Sequence, residues 1–171
     1  QISAVEYFKQ HMRFNPNAEH YLVIGPYDHM GGQSIPKANL RGYEIDSVAN
    51  VNMRTLTYDW FDWVLKDGPK PGLLKDKINF QVMGTNTWIH KPNLKALGNQ
   101  NLRLYLTDNK MQEGKPLKES FQLQTVDFKD REDMNNYFHP SLVIDSLDAS
   151  NGIVYSTDTF VKDFIINGAF T

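Results

Sequence analysis

The stretch YLVIGPYDHMGG, residues 21–32, delivers a histidine, His29, five positions beyond the last apolar side chain of an apolar run. An imidazole in that place can move a proton, bind a metal or be an ordinary loop side chain. In open α/β sheets, functional groups gather in the loops just past the carboxyl ends of parallel strands, which suits a catalytic base. A metal site is disfavoured, because no second histidine stands at the i+2 or i+4 spacing of a zinc pair. A triad base needs a nucleophile and an orienting acid. The nucleophile motif G-x-S-x-G is absent: Ser3, Ser34, Ser47, Ser120, Ser141, Ser146, Ser150 and Ser156 all lack it. Asp28 is a poor orienting acid, since neighbouring side chains on an extended loop point apart. A triad containing His29 therefore draws its serine and its acid from outside residues 1–171, whereas a plain loop histidine needs neither.

Other candidates have structural readings. Gly31 and Gly32 look like half of a phosphate loop, but no lysine or third glycine follows, so a flexible turn is expected. His11, His20, His90 and His139 read as surface or partly buried histidines. Trp60, Phe61 and Trp63 lie on one helical segment as packing residues. Trp88 is expected to pack between domains rather than line an acyl pocket.

The elements that must position His29 follow from periodicity. ISAVEYFKQHM places Ile2, Val5, Phe8 and Met12 on one helical face. YLVIG reads as a strand buried on both faces, the pattern of a parallel sheet. A polar loop from about Gly31 to Asn50 follows. Met53, Leu56, Trp60 and Val64, with Phe61 and Leu65, mark a second helix that stops at Asp67 and Gly68. Lys66 to Lys77, with two prolines and two glycines, reads as a linker or domain border. Beyond it, INFQVMG, LRLYLTD, SFQLQTVDF, GIVYSTDTF and DFIING alternate or run apolar, as antiparallel strands do. The acidic segment from Asp127 to Asn151 reads as loop. One strand between two helices cannot form a sheet alone. Either the β-rich part pairs with it, or its neighbours precede residue 1, and the second fits the ends of the sequence better. The start at Gln1, and an end at Thr171 inside an alternating pattern, favour a piece of a longer chain, with a processed terminus as the plainer account of Gln1.

Composition narrows the function classes. The 171 residues are 40% hydrophobic, the level of a globular protein. Eighteen basic and twenty acidic side chains are interspersed, so neither nucleic acid nor an anionic membrane is an expected partner. The absence of cysteine removes disulfides, thiolate zinc sites and a cysteine nucleophile. No metal and no cofactor is expected.

Four segments, in order, resemble one family. YLVIGPYDHMGG is similar to the G-P-W-x-H segment that carries the catalytic histidine of the X-prolyl dipeptidyl-peptidase-like hydrolases, a group that includes cocaine esterase, α-amino-acid ester hydrolases and glutaryl acylases. YDWFDWVLKDGPKP resembles their closing F-F-D-x-x-L-K-G helix. INFQVMGTNTW resembles the strand that opens their C-terminal domain, and GIVYSTDTFVKDFIINGAF a later Y-T-S run. Tyr27 stands where tryptophan is usual, and residues 127–151 lack the family's proline-rich pattern.

The resemblance implies an α/β then all-β chain. Residues 1–72 would be the C-terminal piece of an α/β-hydrolase domain, and residues 73–171 the N-terminal portion of an antiparallel jelly-roll β-sandwich. His29 would be the base of a Ser-Asp-His triad cleaving an ester or amide, X-prolyl peptide bonds included. The partners would be a small ester, amide or short peptide substrate, with a second copy of the chain also allowed. A complete, non-catalytic β-sandwich module that binds carbohydrate or a partner protein is the competing expectation.

Overall fold

The computed structural model describes residues 2–98, 100–129 and 152–167. In chain order the elements are helix α1 (Ile2–Phe14), strand β1 (Leu22–Ile24), the two-residue strands β2 (Asn39–Leu40) and β3 (Tyr43–Glu44), and a 3₁₀ turn at Ser47–Ala49. Helix α2 (Met53–Lys66) and strands β4 (Ile78–Val82) and β5 (Thr87–Lys91) come next. A 3₁₀ turn at Leu94–Ala96 and strands β6 (Tyr105–Leu106) and β7 (Met111–Gln112) complete the order. The chain divides into two compact units, Gln1–Asn99 with Asn167–Thr171, and Gln100–Ile166.

The first unit is built on the sheet order β1-β4-β5. β1 runs parallel to β4, and β4 antiparallel to β5. Between the two parallel strands the chain passes through α2, so β1, α2 and β4 form a crossover of the α/β kind. This corrects the favoured expectation of neighbours upstream of residue 1: β1 pairs with β4, the first strand of the β-rich part. β1 is a terminal strand of this sheet, and that changes its burial: Leu22 is buried, but Val23 and Ile24 are half-buried. The strand covered on both faces is the central β4, where Ile78, Asn79, Phe80 and Gln81 are all buried.

Register explains which residues make the core. Leu22 pairs with Ile78, Ile24 with Phe80, and Phe80 with Ile89, so these apolar side chains share a face. α1 brings Phe8 onto that face to form the cluster Phe8, Leu22, Ile78 and Phe80, with Val5 and Met12 packed beside it. The 3-4 spacing on α1 thus does what its sequence implies. The opposite face carries Val23, Asn79, His90, Gln81 and Trp88; Gln81 Oε1 is buried without a partner, whereas Asn79 is paired. Asn79 donates to the Asp76 carbonyl at 2.7 Å, and its Oδ1 accepts from His90 Nδ1 at 2.7 Å.

α2 starts where Asn52 accepts hydrogen bonds from the backbone of Arg54 and Thr55, a side-chain N-cap. It ends at Asp67, which adopts the left-handed region at φ 54°, while Gly68 N–H donates to the Asp62 carbonyl. The expected stripe is only partly buried. Met53 is buried, Leu56, Trp60 and Val64 are half-buried, and Phe61 and Leu65 face solvent at 44% and 73% exposure.

Two further expectations change. The 31–50 loop contains the β2–β3 hairpin, whose two central residues, Arg41 at φ 52° and Gly42 at φ 92°, form the tight turn that matches strand twist. The 66–77 connection is no free linker, because Pro71 and Leu74 are buried. Trp88, expected to pack between residues 1–72 and 73–171, does bridge that border, its indole N–H donating to the Val48 carbonyl at 2.8 Å.

The second unit is sparser in regular structure. β6 and β7 form one antiparallel pair, and Lys110 bridges to Ser156. SFQLQTVDF and the described part of DFIING form no ladder, although both were expected as strands. Phe121, Leu123 and Ile166 lie 93%, 88% and 65% exposed, so the alternating sequence finds no partner strand or covering layer among the described residues. Of the expected 127–151 loop, residues 130–151 lie outside the described residues, as does His139.

Candidate functional site

The geometry of His29 is set by the four residues before it. Tyr27 N–H donates to the Gly25 carbonyl at 2.8 Å across Pro26, so the chain turns sharply as it leaves β1. The turn folds the Tyr27 ring back over Gly25. A Cβ added at Gly25 would overlap that ring, 2.6 Å from Cζ, so glycine is required by close approach. Burial pushes the Tyr27 phenol up to about 12, and its hydroxyl donates to the Ala49 carbonyl at 2.9 Å.

Asp28 then caps one helical turn. Its Oδ1 accepts from Gly31 N–H at 2.6 Å, while its carbonyl accepts from Gly32 N–H at 3.0 Å. A carboxylate used this way holds the loop rather than orienting the neighbouring imidazole. The glycines lie in a turn, as expected: Pro36 Cα stands 3.2 Å from where a Gly31 Cβ would sit, and neither glycine has a positive φ. His29 occupies the first position of this turn with an exposed ring. Its Nε2 lies 3.1 Å from Nε2 of Gln33, one turn later.

Both ends of the His29 loop are tied down. Met53 N–H, at the start of α2, donates to the Ser34 carbonyl at 2.7 Å. Ala49, wholly buried, sits in a segment gripped by the β4–β5 hairpin. Trp88 donates to Val48 O, Asn86 accepts from Val48 N–H and Ser47 Oγ, and Asp46 accepts from Gln81 and from Gly84 N–H. Tyr27 joins the His29 loop to this clamp.

Among the described residues no serine hydroxyl and no carboxylate is hydrogen-bonded to His29. Ser34 Oγ donates instead to the Met30 carbonyl, and Ser47 Oγ to Asn86. Sequence reading found His29 and discounted Asp28. It missed Gln33, whose i+4 spacing from His29 signals contact only once the turn is known to be helical.

Among the described residues, His11 and His20 serve packing and His90 pairs with Asn79. His11 and His20 meet edge to face at 4.6 Å between centroids, beside Tyr7 and Phe8. Burial, then the charges of His11 and Lys77, push His20 below its ordinary range. His90 is lowered by burial and by Lys75, against Asp76. Nearby, Tyr21 packs on Trp63 and under the ammonium groups of Lys70 and Lys77 at 5.0 and 4.5 Å. Its hydroxyl donates to Glu19, whose carboxyl is lowered by that bond and by Lys77. Burial and Glu19 together raise the Tyr21 phenol.

In the second unit an open hollow is lined by Asn109, Gln122, Leu123, Gly152, Ile153, Val154 and Ser156, with no acidic, basic or histidine side chain. Among the described residues no cluster of three metal-ligating side chains occurs, and no helix is long and apolar enough to cross a membrane. Compared with family models, curated proteins and solved structures, the chain finds no match.

Proposed function

We propose that these 171 residues are the histidine-bearing part of a serine hydrolase that cleaves an ester or amide bond, X-prolyl peptides among the candidate substrates. The observation that carries this reading is the placement of His29. It stands exposed at the carboxyl end of parallel strand β1, on a capped turn clamped at both ends, with the chain then leading into crossover helix α2. In this reading residues 1–72 are the tail of an α/β-hydrolase domain, and residues 73–171 belong to a jelly-roll domain. The serine and the orienting acid come from residues outside this stretch.

The chemistry follows from the position of one base. His29 takes the proton from the serine hydroxyl as it attacks the carbonyl carbon, and an acyl-enzyme forms as the leaving group departs with that proton. Water then attacks the acyl-enzyme, with His29 again accepting and returning a proton. A rigid loop matters here because the base must meet the hydroxyl within hydrogen-bond reach.

The test is the intact protein assayed with an activated ester such as a p-nitrophenyl ester. His29→Ala is expected to lower kcat at least about 1,000-fold, with an unchanged melting curve because the ring is exposed. Full activity in that variant overturns the reading. The 171-residue chain alone is expected to turn over nothing.

A further inference from the structure

The contact between His29 and Gln33 carries chemical information beyond placement. Gln33 approaches with its amide nitrogen, 3.1 Å from His29 Nε2. An amide N–H₂ has hydrogens to give and no lone pair to receive with, so the ring nitrogen facing it must be the acceptor. A neutral imidazole has a single N–H, which then resides on Nδ1. The turn enforces the approach: Gln33 N–H donates to the Met30 carbonyl at 3.0 Å and Gly32 N–H to the Asp28 carbonyl at 3.0 Å, so residues 29 and 33 lie one above the other.

We propose that Gln33 is a positioning residue that fixes His29 as the Nδ1–H tautomer, with the Nε2 lone pair turned toward the proton donor. A neutral imidazole left to itself favours the proton on Nε2, so the selection has a direction. It is the tautomer a triad base uses, since Nε2 must accept from the serine hydroxyl while Nδ1–H faces the orienting acid. Here no acid is bonded to the ring among the described residues, and the proton is placed on Nδ1 by Gln33 acting at Nε2 instead. The Gln33 amide also occupies the place the hydroxyl would take, so it stands in for the nucleophile until that group arrives. The catalytic meaning of this selection rests on the hydrolase reading; the tautomer itself does not.

The measurement is a long-range ¹H–¹⁵N correlation spectrum of the full chain, recorded at a pH where its histidines are neutral, with His29→Asn to assign the ring. The expected spectrum shows a pyridine-like Nε2 and a pyrrole-like Nδ1 for His29. Gln33→Ala is expected to move the tautomer ratio toward Nε2–H by about fivefold, the weight of one ordinary hydrogen bond. Gln33→Glu, which can only accept, is expected to make Nε2–H dominant. The proposal is overturned by a wild-type His29 that is mainly Nε2–H, or by a ratio that Gln33→Ala leaves unchanged. The backbone amide spectrum checks that each variant is folded; should Gln33→Ala not fold, the wild-type spectrum decides. A hydrolase assay that fails with the expected tautomer present would reject the functional reading and leave the Gln33 assignment standing.

Discussion

The Tyr27 hydroxyl donates to the carbonyl of Ala49 at 2.9 Å, across 22 residues of sequence. Tyr27 lies two residues before His29, and Ala49 sits in the segment that Trp88, Asn86 and Gln81 hold against the β4–β5 hairpin. One bond therefore fastens the His29 loop to the turn that the β4–β5 hairpin holds. The Ala49 carbonyl also accepts from Val51 N–H at 2.8 Å, so losing Tyr27 would not orphan it.

Tyr27→Phe is accordingly expected to cost about 1 kcal/mol, the net worth of a hydrogen bond whose acceptor keeps another partner. In a melting experiment that is a drop of about 2–4 °C for a chain of this size. The more specific readout is amide hydrogen exchange, which should quicken at residues 28–34 while β4 stays protected. Uniform quickening across both regions would contradict the idea of a local fastening.

Gly25→Ala should be worse, because the added methyl overlaps the Tyr27 ring and the ring is held at its far end. Overpacking of this kind costs about 1–3 kcal/mol. A double-mutant cycle isolates the cause: in a Tyr27→Ala background the same Gly25→Ala change should cost less by 1 kcal/mol or more, within the ~0.5–3 kcal/mol range of coupled neighbours. Additive penalties would show that something other than the ring requires glycine.

Asn79 is wholly buried on the central strand, donating to Asp76 O and accepting from His90. Asn79→Ala leaves both partners without their bond and opens a void, so a loss of about 2–4 kcal/mol in urea unfolding is expected. His90→Gln, which can still donate to Asn79, should cost much less. Equal losses would mean that packing alone, and not the polar pair, holds this face together.

How much of this was legible in the sequence varied with the physics involved. α1 and α2 were legible because their apolar spacing and end signals, such as Asp67 with Gly68, are local. The apolar run of β1 was read as the doubly covered strand, yet that role belongs to β4, whose Asn79 and Gln81 disguise it as half-polar. Burial of an amide is invisible in periodicity, since it depends on partners such as Asp46 and His90 that only the fold brings near. The hairpin at Arg41 and Gly42 hid in a polar stretch because two-residue strands leave no periodic trace. His29 was legible from its place after an apolar run; the Gln33 contact and the Tyr27 fastening were not, because each depends on a turn whose geometry is decided by Gly25, Pro26 and Asp28.

The last expectation concerns pH, with its sign worked from the two histidines held below their ordinary value of 6.5. His20 is lowered by burial against Tyr7 and Phe8, then by His11 and Lys77; His90 is lowered by burial and Lys75. A ring that holds its proton less tightly when folded makes the unfolded chain the better proton binder at mildly acid pH. Stability is thus full above 6.5 and is lost as pH falls from there through the folded values. Glu19, lowered by Tyr21 and Lys77, acts in the same sense below its ordinary 4.5. Each group can contribute a slope of at most about 1.4 kcal/mol per pH unit, and less at Glu19, which is more than half exposed and screened by water. Urea unfolding at pH 7.5, 6.5 and 5.5 should show a falling midpoint over the last step, and His20→Phe should flatten part of that fall by removing the titrating ring while keeping the aromatic contact with His11. A midpoint that rises on acidification, or one that His20→Phe leaves equally steep, would mean that His20 is not what the folded chain holds neutral.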